Sequence, residues 1–244
     1  MINVEQNYEK FKHCLSSYVE RDNIKLFLDW LDVTDICEAP ASTKYHLSCR
    51  GGLIQHSLNV FISLIKLLNM QYPDSSDYPY TKETIAIVAL LHDISKVNYY
   101  QKSWHNVRND QTGAWESVPY YTVRKDALFF GSHEENSVYI LSKFFKLTWE
   151  EEVAIRYHMG NVDDTDSFAN SRMYTAYKES PLALLLHMAD LMAICQMESN
   201  DGSEDVDTEE SHDMCIRQFI EQEEAKRESD IKSTDSETDD DIPF

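Results

Sequence analysis

The sequence predicts an all-α protein, a helical bundle interrupted by one small β-hairpin around residues 98–130. Three observations predict it. Apolar residues recur at helical spacing through most of the first 197 positions. Residues that cap helix starts, Thr81, Thr148 and Ser180, stand at the head of three of those runs. One stretch alone, 98–130, changes to Tyr, Trp, Val and Thr around Asp110-Gln111-Thr112-Gly113, the pattern of two strands joined by a turn.

In chain order, Val4 to Glu20 places Tyr8, Phe11, Leu15 and Tyr18 on one helical face, and Ile24–Leu31 is a second, short helix. Residues 32–48, with Pro40 and several small residues, form a loop. Leu53–Met70 is a strongly apolar helix, and 71–80, with two prolines, is a loop. Thr81 opens a helix that carries Ile85–Leu91 and ends near Lys96. After the hairpin a helix occupies about 133–146. Thr148 and Glu151 form a capping box for Trp149 to Tyr157, which Gly160 can stop. Ser180-Pro181 supplies a cap and a first-turn proline for the helix Leu182–Met197.

The 244 residues suit one large domain, or a domain with an appendage. Apolar residues make up 42% of them, enough for a packed core, and the formal charge is −21. That charge is concentrated: from Glu198 onward 18 acidic residues face 4 basic ones. The expected division is therefore N-terminal helices over 1–38 packing on a core domain at 39–197, then an acidic tail at 198–244. The tail reads as largely disordered, with one short helix at 212–228 around Met214, Ile216, Phe219 and Ile220. This acidity argues against duplex nucleic acid as a partner, because such binding needs Lys and Arg massed on one face. A small phosphorylated ligand stays open, since local charge or bound metal can outweigh the global field. The five cysteines show no CxxC pair and fit a reduced compartment. With no signal-peptide pattern and no apolar run of spanning length, the expected setting is cytoplasmic, away from membranes.

The chemistry lies in scattered His and Asp residues. His92-Asp93 closes the apolar run Ile85–Leu91, so two polar groups are about to be buried. A divalent cation is the simplest partner for both, and a helix end facing water is the bland alternative. Asp190 sits inside the apolar helix of Leu184–Leu191, with His187 three residues before it on the same face. Either can be the ligand with the other supporting it, or Asp190 can be held by backbone or an arginine. His56 lies one turn into an apolar helix, His133 opens one after Gly131-Ser132, and His158 ends the capped one. Singly, each reads more simply as structural. Together they offer only N and O donors, which selects Fe, Mn, Mg, Ni, Co or Zn in a hydrolytic role over a thiolate zinc site.

The order His56 … His92-Asp93 … His133 … His158 … Asp190 resembles the HD-domain superfamily of metal-dependent phosphohydrolases, in the branch that binds two metals. "LLHDISK" (90–96) is close to that superfamily's LLHDIGK. "APASTKYHLSCRGGLIQHSLNV" (39–60) is similar to the start of the catalytic domain of HD-type 3′–5′ exoribonucleases. "GSHEENSVYIL", "AIRYHMG" and "PLALLLHMADLMA" resemble uncharacterised bacterial and phage HD hydrolases. The resemblance spans about 39–197. It implies an all-α HD bundle around two divalent ions. One ion takes His56, His92, Asp93 and Asp190, and Asp93 bridges to a second completed by His133 and His158. Two departures stand out: Ser95 replaces the usual Gly, and the compact nucleotidases of the superfamily lack the 98–130 hairpin. The nucleic-acid-binding domain of the exoribonucleases has no counterpart here, which counts against RNA.

Such ligands support hydrolysis of a phosphomonoester or phosphodiester by metal-activated water, in a nucleotide or short oligonucleotide. Asp93 is the expected catalytic carboxylate. Lys96, one turn on, can hold a phosphate oxygen or be an ordinary solvated helix end. Lys102 and Arg108, with Trp104, Arg124 and Lys125, mix cations and aromatics on the hairpin as a substrate-binding lid does, or as a plain solvated hairpin does. Lys44 and Arg50 are weaker candidates. Two rivals use the same pattern: a mixed-valence di-iron oxygenase, and a nucleotide-binding HD protein without turnover.

Overall fold

The computed structural model describes residues 2–109, 111–127, 130–160 and 167–198. Its elements are α1 (Val4–Tyr18), α2 (Ile24–Leu31), α3 (Gly52–Gln71), α4 (Lys82–Leu91), β1 (Tyr100–Arg108), β2 (Trp115–Val123), α5 (His133–Leu141), α6 (Trp149–Tyr157), α7 (Ser167–Glu179) and α8 (Pro181–Gln196), with 3-10 turns at Ser75–Asp77 and Ile94–Lys96. The architecture is a helical bundle with one hairpin, as the sequence predicts. The expected tail helix at 212–228 lies outside the described residues.

Helix α3 is the axis of the bundle. It packs against α1, α4 and α8, while α6 joins α4, α5 and α8 on the other side. Most of α3 is buried, including residues 52–65 without interruption. By length and mean hydropathy α3 would pass as a membrane span, contrary to the expectation that no apolar run reaches spanning length, but 83% of that stretch is buried by its neighbours. Its start needs two glycines. Gly51 takes a left-handed φ of 74°, and a Cβ on Gly52 would lie 2.1 Å from the Leu47 carbonyl oxygen. This tight approach sets the loop of residues 39–50 against the first turn of α3, one turn before His56.

The caps behave as their residue types dictate. Thr81 accepts from the Thr84 N–H, and reciprocal capping boxes open α5 (Ser132 with Glu135) and α6 (Thr148 with Glu151). Pro181 occupies the first turn of α8, and the Ser180 side chain makes no cap hydrogen bond, so the preset proline φ organises that start. Helix α5 is shorter than the 133–146 the sequence predicts. It stops at Leu141 because Phe144 and Phe145 turn inward onto Phe27, 5.3 and 5.2 Å between ring centroids. Helix α7 has no counterpart in the sequence expectation: among its described side chains Ala176 alone is well buried, so its apolar periodicity is faint.

β1 and β2 pair antiparallel from Tyr100↔Val123 to Arg108↔Trp115. The connection closes through Gly113, which has a φ of 71°, and Asn109 Oδ1, which accepts from the amides of Gln111 and Thr112.

Candidate metal centre

The six residues singled out in the sequence are brought to one place from five helices. His56 lies one turn into α3, His92 and Asp93 follow the last turn of α4, His133 begins α5, His158 caps the C-terminus of α6, and Asp190 lies in the middle of α8. All are buried except His133, whose side chain keeps 26% exposure. The α4 run explains part of this: residues 84–91 are all buried, so whatever follows enters the core.

The donor atoms face one another. His56 Nε2 lies 3.1 Å from His92 Nε2, 3.2 Å from Asp190 Oδ1 and 3.6 Å from Asp93 Oδ2. His92 Nε2 is 3.5 Å from Asp93 Oδ2. On the other side of the same carboxylate, Asp93 Oδ1 lies 3.4 Å from His133 Nε2 and 3.7 Å from His158 Nε2. With bonds of about 2.0–2.2 Å, neighbouring ligands of a tetrahedral or octahedral ion stand roughly 2.8–3.6 Å apart. Four of the six separations fall in that window with room to spare, 3.6 Å sits at its edge and 3.7 Å just beyond it.

Proton positions make the case sharper. His92 Nδ1 and His158 Nδ1 each lie against a backbone carbonyl, Ala89 O at 2.9 Å and Ile155 O at 2.8 Å. A carbonyl only accepts, so both rings carry their proton on Nδ1 and present a lone pair at Nε2. His56 Nδ1 meets the Glu198 carboxylate at 3.0 Å, with the same consequence. With His56 and His92 both protonated on Nδ1, their Nε2 atoms meet at 3.1 Å, and either a second proton on His56 or a divalent cation between them relieves that contact. Asp93 Oδ1, His133 Nε2 and His158 Nε2 are buried without a hydrogen-bond partner among the described residues. Orphaned donor atoms that converge on one point fit a cation.

Charge points the same way. Among the described residues the carboxylates of Asp93, Asp190 and Glu198 are buried around the cluster, and the ammonium of Lys96 is buried with its Nζ 2.5 Å from Asp93 Oδ2. Burial would push His56 down, but the carboxylates of Glu198 and Asp190 overcome it and hold its pKa near about 10. Burial would raise Asp93 and Asp190; Lys96 and His92 keep the first well below the usual carboxylate range, and His56 the second. His158 goes the other way: burial and the neighbouring His92 push it down to about 4, so it stays a neutral donor.

The family model for the HD domain matches residues 53–194. The chain belongs to the HD-domain family. That family is a superfamily of metal-dependent phosphohydrolases, and His56, His92, Asp93, His158 and Asp190 form groups that could hold a metal ion. No curated protein and no solved structure matches the chain.

Beside the HD cluster lies a cavity of about 500 Å³. Its walls come from the cluster (His56, Asp93, His133, Asp190), from Lys96, from the loop at Ala41–His46, and from the hairpin base at Tyr99, Tyr100 and Val123. Lys102 and Arg108 are not among its walls. Both are exposed on β1, Lys102 over the Trp104 ring at 5.2 Å and Arg108 donating to the Gly113 carbonyl at 3.3 Å. Arg124 pairs with Asp126, and Arg50 with Glu38 and Glu5. His187 does not face the donor cluster. Its Nδ1 bonds the His158 carbonyl at 2.6 Å and its ring stacks on Tyr177. Gly160 makes room for it, since a Cβ there would lie 2.8 Å from the imidazole.

Three further residues belong to the surroundings of the HD site and were not singled out in the sequence. His46, held near a pKa of about 4 by burial and by His56, lines the cavity with a buried, unbonded Nε2. Glu134 lies 3.4 Å from His133 Nδ1. Glu198, counted from sequence as the first residue of the acidic tail, has no exposed side-chain surface. The missed signal for Glu198 was on α3: Gln55, Asn59 and Ser63 form a polar stripe at four-residue spacing in an apolar helix, and such a stripe demands a buried polar partner.

Proposed function

We propose that this HD-domain protein hydrolyses a phosphomonoester or phosphodiester bond in a nucleotide or short oligonucleotide, using two divalent ions. His56, His92, Asp93 and Asp190 hold one ion, and Asp93, His133 and His158 the other. The observation that carries this reading is the two-sided environment of Asp93, with one oxygen among His56, His92 and Lys96 and the other, unbonded, beside His133 and His158. Bound divalent ions supply positive charge to phosphoryl oxygens and acidify a coordinated water.

The chain's own groups do the rest. Asp93 carries the negative charge shared by both halves of the cluster. Lys96 lines the cavity with a buried ammonium, placed to take a non-bridging phosphate oxygen. The cavity volume lies within the usual range of about 300–1,000 Å³ for small-molecule sites. Lys102 and Arg108 lie farther out on β1, two and eight residues beyond Tyr100, so they serve a substrate long enough to leave the cavity.

The test is metal analysis of the purified protein, then a screen of phosphorylated substrates with Mn²⁺, Mg²⁺, Fe²⁺, Co²⁺ and Ni²⁺. Phosphate ester cleavage that disappears in both His92→Ala and Asp93→Ala is the expected result. Activity surviving in both variants overturns the assignment, and bound iron with oxygen uptake but no ester cleavage replaces it with an oxygenase.

A further inference from the structure

Glu198 lies beyond the segment matched by the HD family and two residues past the end of α8. Its carboxylate is fully enclosed. A carboxylate in that position is costly unless every lone pair finds a donor. Glu198 finds them on α3, one turn apart. His56 Nδ1 lies 3.0 and 3.2 Å from its two oxygens, and Asn59 Nδ2 donates to it at 3.0 Å. Asn59 is itself fixed, because Gln55 Nε2 donates to its Oδ1 at 2.8 Å and Asn7 of α1 donates to Gln55. A line of buried amides thus runs from α1 down α3 and ends on Glu198.

We propose that Glu198 is a positioning residue of the metal centre: by accepting the His56 Nδ1–H it fixes the ring orientation and tautomer that turn Nε2 toward the ion. The proposal rests on the metal reading above. His46 Nε2, His56 Nδ1 and Glu198 are close enough together to suggest a separate ion there instead. One observation opposes that: to ligate such an ion His56 would have to give up the Nδ1 proton it shares with Glu198 while Nε2 still faces His92, Asp93 and Asp190. A carboxylate that orients a ligating histidine also raises the basicity of its free nitrogen, and loss of such a partner weakens metal affinity by roughly 10–100-fold. The HD segment alone therefore lacks one of the groups that set the affinity of its own site.

The experiment uses the full chain and measures Mn²⁺ binding by calorimetry, with the visible spectrum of the Co²⁺-loaded protein as a second readout. Glu198→Ala is expected to weaken Mn²⁺ binding by roughly 10–100-fold and to alter the Co²⁺ spectrum, with Glu198→Asp recovering part of both. Glu198→Gln keeps the shape, loses the charge, and decides the matter if the alanine variant does not fold; it is expected to lose affinity in the same direction. Glu151→Gln, a buried glutamate remote from the centre, separates fold from positioning: it should lower the Tm while leaving the Mn²⁺ affinity unchanged. Folded Glu198→Ala or Glu198→Gln protein that binds Mn²⁺ within twofold of the wild type overturns the proposal. Wild-type protein that binds no Mn²⁺ overturns the metal reading beneath it.

Discussion

Asp93 and Lys96 show how a single pair can have opposite effects on folding and on ion binding. The ammonium is buried, and burial would lower its pKa, but Asp93 at 2.5 Å raises it above the ordinary value, so it stays charged. Replacing it by Lys96→Met leaves the carboxylates of Asp93 and Asp190 without the one buried ammonium that faces them among the described residues. Removing one partner of a buried ion pair costs about 3–5 kcal/mol, so the metal-free variant should unfold at markedly lower urea. The same change makes the cluster more negative, so Mn²⁺ should bind more tightly while turnover of phosphate esters falls. Urea melts in chelator and a Mn²⁺ titration on one preparation check both signs; weaker Mn²⁺ binding would show that Lys96 shapes the site instead of balancing its charge. At this scale the sequence was partly legible. His187 and Asp190 were inseparable by spacing, because positions three apart on a helix differ by only about 60°. The structure divides them: Asp190 turns to His56, and His187 to the carbonyl of His158. Glu198 was hidden because its neighbours in sequence are acidic and polar, while its partners are 139 and 142 positions away.

Helix ends explain most of what was legible at the scale of elements. The runs that deliver His92, His158 and Asp190 were readable because apolar periodicity and cap chemistry agreed, as at Thr148 and Glu151. Helix α7 and the early stop of α5 were not, because the first buries little and the second is decided by a distant Phe27. Glu151 also shows that a local cap can hold distant parts together. It closes the capping box of α6, accepts from Thr84 Oγ1 of α4 at 3.0 Å, and pairs with Arg21, between α1 and α2, at 2.7 Å. Arg21→Met should therefore destabilise the fold by about 3 kcal/mol, far more than the 0–1 kcal/mol of an exposed pair, and leave metal affinity alone. Chemical denaturation beside a Mn²⁺ titration tests this. The hairpin carries a separate prediction. A strand advances about 3.4 Å per residue, which puts Arg108 roughly 27 Å beyond Tyr100 at the cavity. Arg108→Ala should leave cleavage of a mononucleotide ester unchanged and raise KM only for oligonucleotides several units long; an equal loss on both substrates would mean that the hairpin folds over the cavity.

For the molecule as a whole, the metal-free protein should carry its centre's electrostatics into its pH stability. His56 has a folded pKa raised from 6.5 to about 10, so the stability it contributes is complete below pH 6.5 and drains away as pH rises toward 10. His158 and His46 have folded pKa values lowered from 6.5 to about 4. In their case the unfolded chain binds the extra protons between pH 6.5 and 4, so stability is lost as pH falls through that window. The two slopes have opposite signs and meet at the ordinary histidine value. Chelated protein should thus show its highest Tm near pH 6.5, with a fall on either side. Divalent ions bind the deprotonated donors, and ligand present at 100 times its Kd adds about 2.7 kcal/mol. Mn²⁺ should therefore raise the alkaline limb most, where the competing proton on His56 is already leaving, and move the optimum above pH 6.5. Thermal melts from pH 5 to 9, with chelator and then with Mn²⁺, distinguish the cases. A metal-free Tm that climbs steadily to pH 9 would show that no proton stands between the carboxylates and imidazoles where the lone pairs of His56 and His92 meet.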